Sequence, residues 1–224
     1  GPKARQLMQK VSRSDFSNDR FKWLSAQNIN IGLAPCSAMR VNFVGELGWE
    51  LHHPIEYQNH IFDQLMEAGK EFGLKPYGIR AMNSLRVEKS YKLVGTELSI
   101  EYSPYESGLD RFVHPNKGDF IGRAALDKWR AKGFSNKLVT MEIHGVTDAD
   151  VLGNNPIYDN GSVVGRATSG DFGFRLNKSI ALGMVKPELA KVGQKLKIDI
   201  LGKMHEASIV EESPYDSENK LLRA

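Results

Sequence analysis

The hydrophobic rhythm of the chain changes near Phe134, and this change limits the available folds more than any other feature. Beyond it, Leu138-Val139-Thr140-Met141-Glu142-Ile143 and Leu196-Lys197-Ile198-Asp199-Ile200 alternate apolar and polar side chains, the period of a strand with one buried face. Asn160-Gly161 lies between Pro156-Ile157-Tyr158 and Ser162-Val163-Val164, and that dipeptide favours the left-handed backbone of a two-residue hairpin turn. Gly202 separates two further runs. Residues 134–224 therefore read as a small antiparallel barrel or sandwich of about 90 residues.

Before Phe134 the pattern alternates strand and helix, which makes the chain α+β. Ala4, Leu7, Met8 and Val11 form one apolar helical stripe, and Pro2 suits the first position of that helix. Gly1-Pro2 runs into this stripe without a break, so the chain is expected to begin mid-domain, with an N-terminal portion absent. Ala38 to Val44 reads as a strand, and Trp49-Glu50-Leu51-His52 as its hairpin partner across the Gly45-Glu46-Leu47-Gly48 turn. Pro54 opens a helix with Ile61, Phe62, Leu65, Met66 and Phe72 on its apolar face, closing at Gly73. Further helices are expected from Ile79 to Tyr91 and from Ala124 to Ala131, the latter ending at Gly133.

Composition excludes several functions. With 41% hydrophobic and 25% charged residues, the chain is neither disordered nor fibrous. No apolar run approaches the roughly 20 residues of a membrane span, and no leader pattern is present. The net charge of +3 is spread among interleaved acids and bases, so nothing calls for nucleic acid. One cysteine, Cys36, excludes an internal disulfide and a Cys-based zinc site. A reducing compartment fits: the cytoplasm, or the mitochondrial matrix in a eukaryote.

The most informative stretch is Gly45-Glu46-Leu47-Gly48-Trp49-Glu50. Two glycines allow a close backbone approach and flank a carboxylate that can accept two parallel hydrogen bonds from an amidine-like edge, such as N3–H and the 2-amino group of a pterin. Phe43 or Trp49 would give the flat ring an apolar face. The alternative is a hairpin tip with a solvated Glu and core aromatics. In Ser84-Leu85-Arg86-Val87-Glu88-Lys89, Arg86 and Glu88 cannot share a helix face: Arg86 would hold a ligand carboxylate or tie down the Glu46 loop, or both are ordinary surface charges. His52-His53 and His60 give no three-ligand set, because adjacent strand residues face opposite ways. Asp148-Ala149-Asp150 falls short of a calcium loop. Asp171-Phe172-Gly173 looks like the kinase metal-binding triplet but lacks its companions, and Gly165 to Gly170 lacks the Lys-Ser/Thr of a phosphate loop. Cys36 reads as a packed thiol.

Taken in order, these pieces resemble the glycine-cleavage aminomethyltransferase (T-protein) family, and more closely the C-terminal folate region of the dimethylglycine and sarcosine dehydrogenases. The resemblance spans essentially the whole chain. It rests on Gly1-Pro2-Lys3-Ala4-Arg5, on Arg40-Val41-Asn42-Phe43-Val44-Gly45-Glu46-Leu47-Gly48-Trp49-Glu50-Leu51 and on Ser84-Leu85-Arg86-Val87-Glu88-Lys89. It continues in Pro104-Tyr105-Glu106-Ser107-Gly108-Leu109, Lys117-Gly118-Asp119-Phe120-Ile121-Gly122-Arg123, Gly165-Arg166-Ala167-Thr168-Ser169-Gly170 and Ser179-Ile180-Ala181-Leu182-Gly183. The resemblance implies the C-terminal part of a folate-binding domain over 1–133 and a small antiparallel β-barrel domain over 134–224.

It also implies a pterin-facing carboxylate at Glu46, lining by Phe43 and Trp49, and support from Arg40, Arg86 and Glu88, with tetrahydrofolate as the cofactor. Met82 stands where the T-protein pattern has an Arg, so that folate contact does not carry over. Phe43 replaces a Tyr, removing a hydroxyl. Both departures resemble the dehydrogenase branch, whose members carry an FAD domain upstream. The family's essential Asp belongs to the expected missing N-terminal half, so no catalytic residue is assigned here and the chain is expected to be incomplete for catalysis. In the intact enzyme, a flavin would oxidise a small N-methyl amine, and the iminium carbon would be captured as 5,10-methylene-tetrahydrofolate. A stand-alone aminomethyltransferase or demethylase, or a non-catalytic regulatory subunit with a folate domain, is the alternative.

Overall fold

A computed structural model describes residues 1–146 and 148–224. Helix α1 (Ala4–Val11) buries Leu7, Met8 and Val11, as the apolar stripe requires. Strands β1 (Ala26–Ile31), β2 (Ala34–Met39) and β3 (Glu50–His52) form an antiparallel sheet in the order β1-β2-β3. Helix α2 (Gln58–Gly69) follows, and its chain stops at Gly73, whose φ of +72° closes the helix end. Helix α3 covers Ile79–Val87 and helix α4 Arg123–Lys132, with Gly133 at its C-cap.

Six strands make a closed barrel: β4 (Lys137–Ile143), β5 (Pro156–Asp159), β6 (Ser162–Gly173), β7 (Lys178–Val185), β8 (Lys195–Ile200) and β9 (Lys203–Val210), in the order β4-β7-β6-β5-β8-β9. Antiparallel pairing of β4 with β9 closes the ring, leaving no open edge. Two hairpins turn where the sequence placed them: Asn160 and Gly161 have φ of +47° and +78°, and Leu201 and Gly202 +53° and +79°, the backbone of a tight hairpin turn matched to strand twist. The barrel interior holds Val139, Met141, Ile143, Ile157, Ala181, Leu196, Ile198, Ala207 and Ile209. A short helix, α5 (Lys220–Arg223), ends the chain.

Compactness groups residues 1–82 with 218–224 as a first unit and residues 83–217 as a second. The first unit has its own core: Leu7, Met8 and Val11 meet Phe16, Phe21, Ile29, Ile31, Cys36 and Ile61. Burial pushes the Cys36 thiol pKa up, as for an inert packed cysteine.

Three local expectations need correction, and one strand was not expected. Strand β2 ends at Met39, not Val44, because the N–H groups of residues 44–46 bond to the Asn42 side chain and are lost to any ladder. Helix α3 stops at Val87, four residues short of Tyr91, in a tight turn where Ser90 takes φ of +55° and the Tyr91 N–H returns to the Arg86 carbonyl. Phe62 is 51% exposed, because the buried face of α2 follows Ile61, Leu65, Ala68 and, beyond it, Phe72. Strand β1 had no counterpart among the expected elements.

At Gly165 in β6 a Cβ would lie 2.2 Å from the Met184 carbonyl oxygen and 2.9 Å from Val185 Cα on β7. Backbone cannot swing aside as a side-chain tip does. Gly165→Ala is expected to destabilise the protein by about 1–3 kcal/mol, read as a lower urea midpoint with an unchanged slope.

Candidate functional site

The pairing of Ser37, Ala38 and Met39 with His52, Leu51 and Glu50 fixes both ends of the intervening loop, residues 40–49. Arg40 opens it and is 2% exposed. Its Nη1 donates to the Phe21 carbonyl (2.7 Å) and its Nη2 to the carbonyls of Arg223 and Ala224 (3.1 and 3.2 Å). Burial lowers its pKa, and nearby Arg5 adds to the effect. Trp49 closes the loop. Its ring meets Phe16 and Phe21 edge-on at 5.2 and 5.9 Å between centroids, and the guanidinium groups of Arg40 and Arg5 lie 5.8 and 6.0 Å from its centre. Arg5 in turn holds the Phe16 carbonyl and Asn18. Such contacts between cations and an aromatic ring anchor both ends of the loop to one core.

Between these anchors, Asn42 Oδ1 accepts from the N–H groups of Val44 (3.0 Å), Gly45 (2.6 Å) and Glu46 (3.2 Å). Gly45 takes φ of +73°, a conformation that side chains disfavour. Leu47 is 3% exposed. Phe43 and Glu46 are half-buried. Three buried nitrogens in or flanking this bend have no acceptor: Arg40 Nε, Asn42 Nδ2 and Trp49 Nε1. Unpaired buried donors are rare in folded proteins.

The sequence-derived site thus divides in two. Arg40, Phe43, Glu46 and Trp49 belong to the first unit and share one loop. Of these, Arg40 and Trp49 hold its two ends, and Trp49 is half-buried against Phe16 and Phe21. Arg86 and Glu88 belong to the second unit, and both are buried, at 1% and 0% exposed. Arg86 donates from Nε and Nη2 to Asn83 Oδ1 (2.9 and 2.7 Å) and from Nη1 to the Tyr91 carbonyl (3.0 Å), with Glu97 3.7 Å away. Glu88 accepts from the backbone N–H groups of Arg175 (2.7 Å) and Leu176 (3.1 Å) and pairs with the Arg175 guanidinium. The charged atoms of both residues are turned inward onto these partners and brace the second unit.

This bracing also accounts for Asp171-Phe172-Gly173. Asn83 Nδ2 donates to Asp171 Oδ2 (2.7 Å), Ser84 Oγ donates to the Phe172 carbonyl (2.5 Å), and a Cβ at Gly173 would sit 2.7 Å from Glu88 Cγ. The triplet is a docking strip for the end of α3. Sequence reasoning missed Asn42, Asn83 and Glu97; Asn42 caps groups two to four residues on, while Asn83 and Glu97 combine near partners with the distant Asp171 and Ser169.

A concavity of about 930 Å³ in the first unit is lined by residues including Lys10, Arg13, Asn30, Leu33 and Gln64, and none of its lining comes from residues 40–49. Among the described residues, no group of three or more His, Cys, Asp or Glu could hold a metal ion, and no helix is long and apolar enough to cross a membrane.

A unit of helices on a three-stranded antiparallel sheet, followed along the chain by a closed six-stranded barrel, is the architecture shared with the relatives that follow. Residues 1–117 match the GCVT N-terminal domain and residues 136–216 the glycine cleavage T-protein C-terminal barrel domain. The chain belongs to the glycine cleavage T-protein family. It is 40% identical over 213 residues to the mitochondrial dimethylglycine dehydrogenase of Homo sapiens, covering 95% of this chain and 24% of that protein. It is 33% identical over 220 residues to an aminomethyltransferase of Thermoanaerobacter pseudethanolicus, covering 98% of this chain and 59% of that protein. The crystal structure of glycine cleavage system aminomethyltransferase T from Bartonella henselae shares the fold, with a TM-score of 0.80 at 21% identity over 95% of this chain and 57% of that one. The chain therefore spans about a quarter of the first relative and under three fifths of the second.

The buried acid Glu97 gives a pH test of the bracing. Burial alone would raise its pKa, but this is outweighed by hydrogen bonds from Ser169 Oγ (2.5 Å), the Leu93 N–H (2.8 Å) and Thr96 Oγ1 (2.8 Å), so the pKa falls below the ordinary carboxylate value. A depressed folded-state pKa contributes stability above the unfolded value, and that stability is lost as pH falls through the folded one. Glu97→Gln is expected to cost about 1–3 kcal/mol near pH 7 and markedly less near about pH 3, measured by urea denaturation at both.

Proposed function

We propose that this chain is the tetrahydrofolate-binding part of a folate-dependent one-carbon enzyme of the dimethylglycine or sarcosine dehydrogenase type. The observation that carries this reading is the 40% identity to a dimethylglycine dehydrogenase along 95% of the chain. Within that length, the 40–49 loop supplies the local chemistry: a carboxylate at a glycine-flanked bend whose backbone N–H groups are gathered by Asn42. Residues 1–133 are the C-terminal part of the folate domain and 134–224 its barrel. The small-molecule partner is an N-methyl amine. On this reading the FAD is carried upstream of this region, as the likeness to the dimethylglycine dehydrogenases implies.

Bound folate supplies a nucleophilic ring nitrogen, N5, that takes up the one-carbon unit. The residues of this chain act by orientation. Glu46 accepts two hydrogen bonds from the amino-pyrimidine edge, which fixes the plane and rotation of the ring. Phe43 covers an apolar part of it. Arg40 and Trp49 hold the loop ends through contacts with Phe21, Phe16 and the last carbonyls of the chain. Holding the ring in one pose and keeping water away is how such a site accelerates the capture of a short-lived electrophile. The 33% identity to an aminomethyltransferase along 98% of the chain favours one second reading, a stand-alone aminomethyltransferase with the same loop and no flavin.

Glu46→Gln keeps the shape of the side chain but replaces one acceptor with a donor. Calorimetric titration of the full natural protein with 5-formyl-tetrahydrofolate is expected to show affinity lowered about ten- to a hundredfold. Undiminished affinity would overturn the assignment of Glu46.

A further inference from the structure

One side chain in the 40–49 loop does more than any sequence signal indicated. Asn42 Oδ1 gathers three consecutive backbone N–H groups, those of Val44, Gly45 and Glu46. A loop has no ladder to satisfy such groups, and an unsatisfied buried N–H is costly, so this one acceptor determines how the bend closes. Drawing three successive N–H groups to one point curls the backbone, and Gly45 supplies the left-handed φ of +73° that the curl demands. Beyond the curl, Leu47 is buried and Trp49 is wedged against Phe16 and Phe21. The backbone of Glu46 is therefore held on its N-terminal side by Asn42 and on its C-terminal side by the core.

The choice of residue is informative. With Oδ1 committed, Asn42 Nδ2 is buried without an acceptor. An Asp would cap the same three groups and leave no orphan, but it would place a second negative charge four residues from Glu46. A neutral cap leaves Glu46 as the only carboxylate among residues 40–49.

We propose that Asn42 is a positioning residue: its amide oxygen sets the bend that aims the Glu46 carboxylate at a ligand bearing paired N–H donors. Only the final step, the ligand, rests on the folate reading above.

The test has one arm that needs no ligand. In the full natural protein, NMR measures amide exchange at residues 44–46 and the χ1 couplings of Glu46. The parent is expected to show protected amides and one dominant Glu46 rotamer. Asn42→Ala is expected to speed exchange at least about tenfold and to average the couplings, while Asn42→Asp, which keeps the acceptor, restores both. Amides that exchange in the parent at open-loop rates, or couplings unchanged in Asn42→Ala, would overturn the positioning role whatever folate does.

The second arm titrates 5-formyl-tetrahydrofolate. Asn42→Ala is expected to bind at least about tenfold more weakly with little change in Tm, and Asn42→Asp to recover most of that loss. Couplings that average while affinity holds would leave the positioning role standing and remove the folate reading instead.

Discussion

Three cross-strand pairs, Ser37 with His52, Ala38 with Leu51 and Met39 with Glu50, set the span that residues 40–49 must bridge. The roles proposed for Glu46 and Asn42 follow from how that span is filled. Its ends are fixed by cations packed on one indole, Arg5 and Arg40 on Trp49. Its middle is fixed by one amide oxygen. Between two rigid ends and a capped middle, the backbone that carries the Glu46 carboxylate loses most of the freedom of an open loop. That loss is incurred at folding, so it is not charged against binding.

The second unit uses charge differently. Arg86, Glu88 and Glu97 are all withdrawn from water, and each is surrounded by fixed partners. Removing one member of such a set strands the others, which is far costlier than the pair is stabilising. This explains why a run as conspicuous as Ser84-Leu85-Arg86-Val87-Glu88-Lys89 serves the fold: Arg86 stitches α3 to the following turn at Tyr91, Glu88 receives the β6–β7 turn through Arg175 and Leu176, and Lys89 Nζ holds the carbonyls of Tyr215 and Asp216. A charged motif on a helix is as good a brace as it is a binding site, and residue type alone does not separate the two.

Features governed by short-range chemistry were legible in the sequence. The α1 stripe, the Gly73 stop, the Asn160-Gly161 turn and the alternating strands of the barrel each depend on residues within a few positions of one another. Strand β1 was not legible because Ala-Gln-Asn-Ile-Asn-Ile has two large apolar residues and takes its identity from pairing with β2. The over-long strand at Ala38 to Val44 has the opposite cause: a β-branched run was overruled by one polar side chain inside it. In the site, Glu46 and its neighbours could be picked out because glycines flank them. The inward role of Glu88 could not, since its partner Arg175 lies 87 residues away.

The central claim is that the bend at Glu46 meets the amino-pyrimidine edge of a reduced folate. A crystal structure of the full natural protein with 5-formyl-tetrahydrofolate tests it most directly. The account predicts Glu46 carboxylate oxygens about 2.6–3.2 Å from the ring N3 and the 2-amino nitrogen, with the 40–49 backbone unmoved at Asn42. A pterin ring bound away from this loop, with Glu46 facing only solvent, would contradict it.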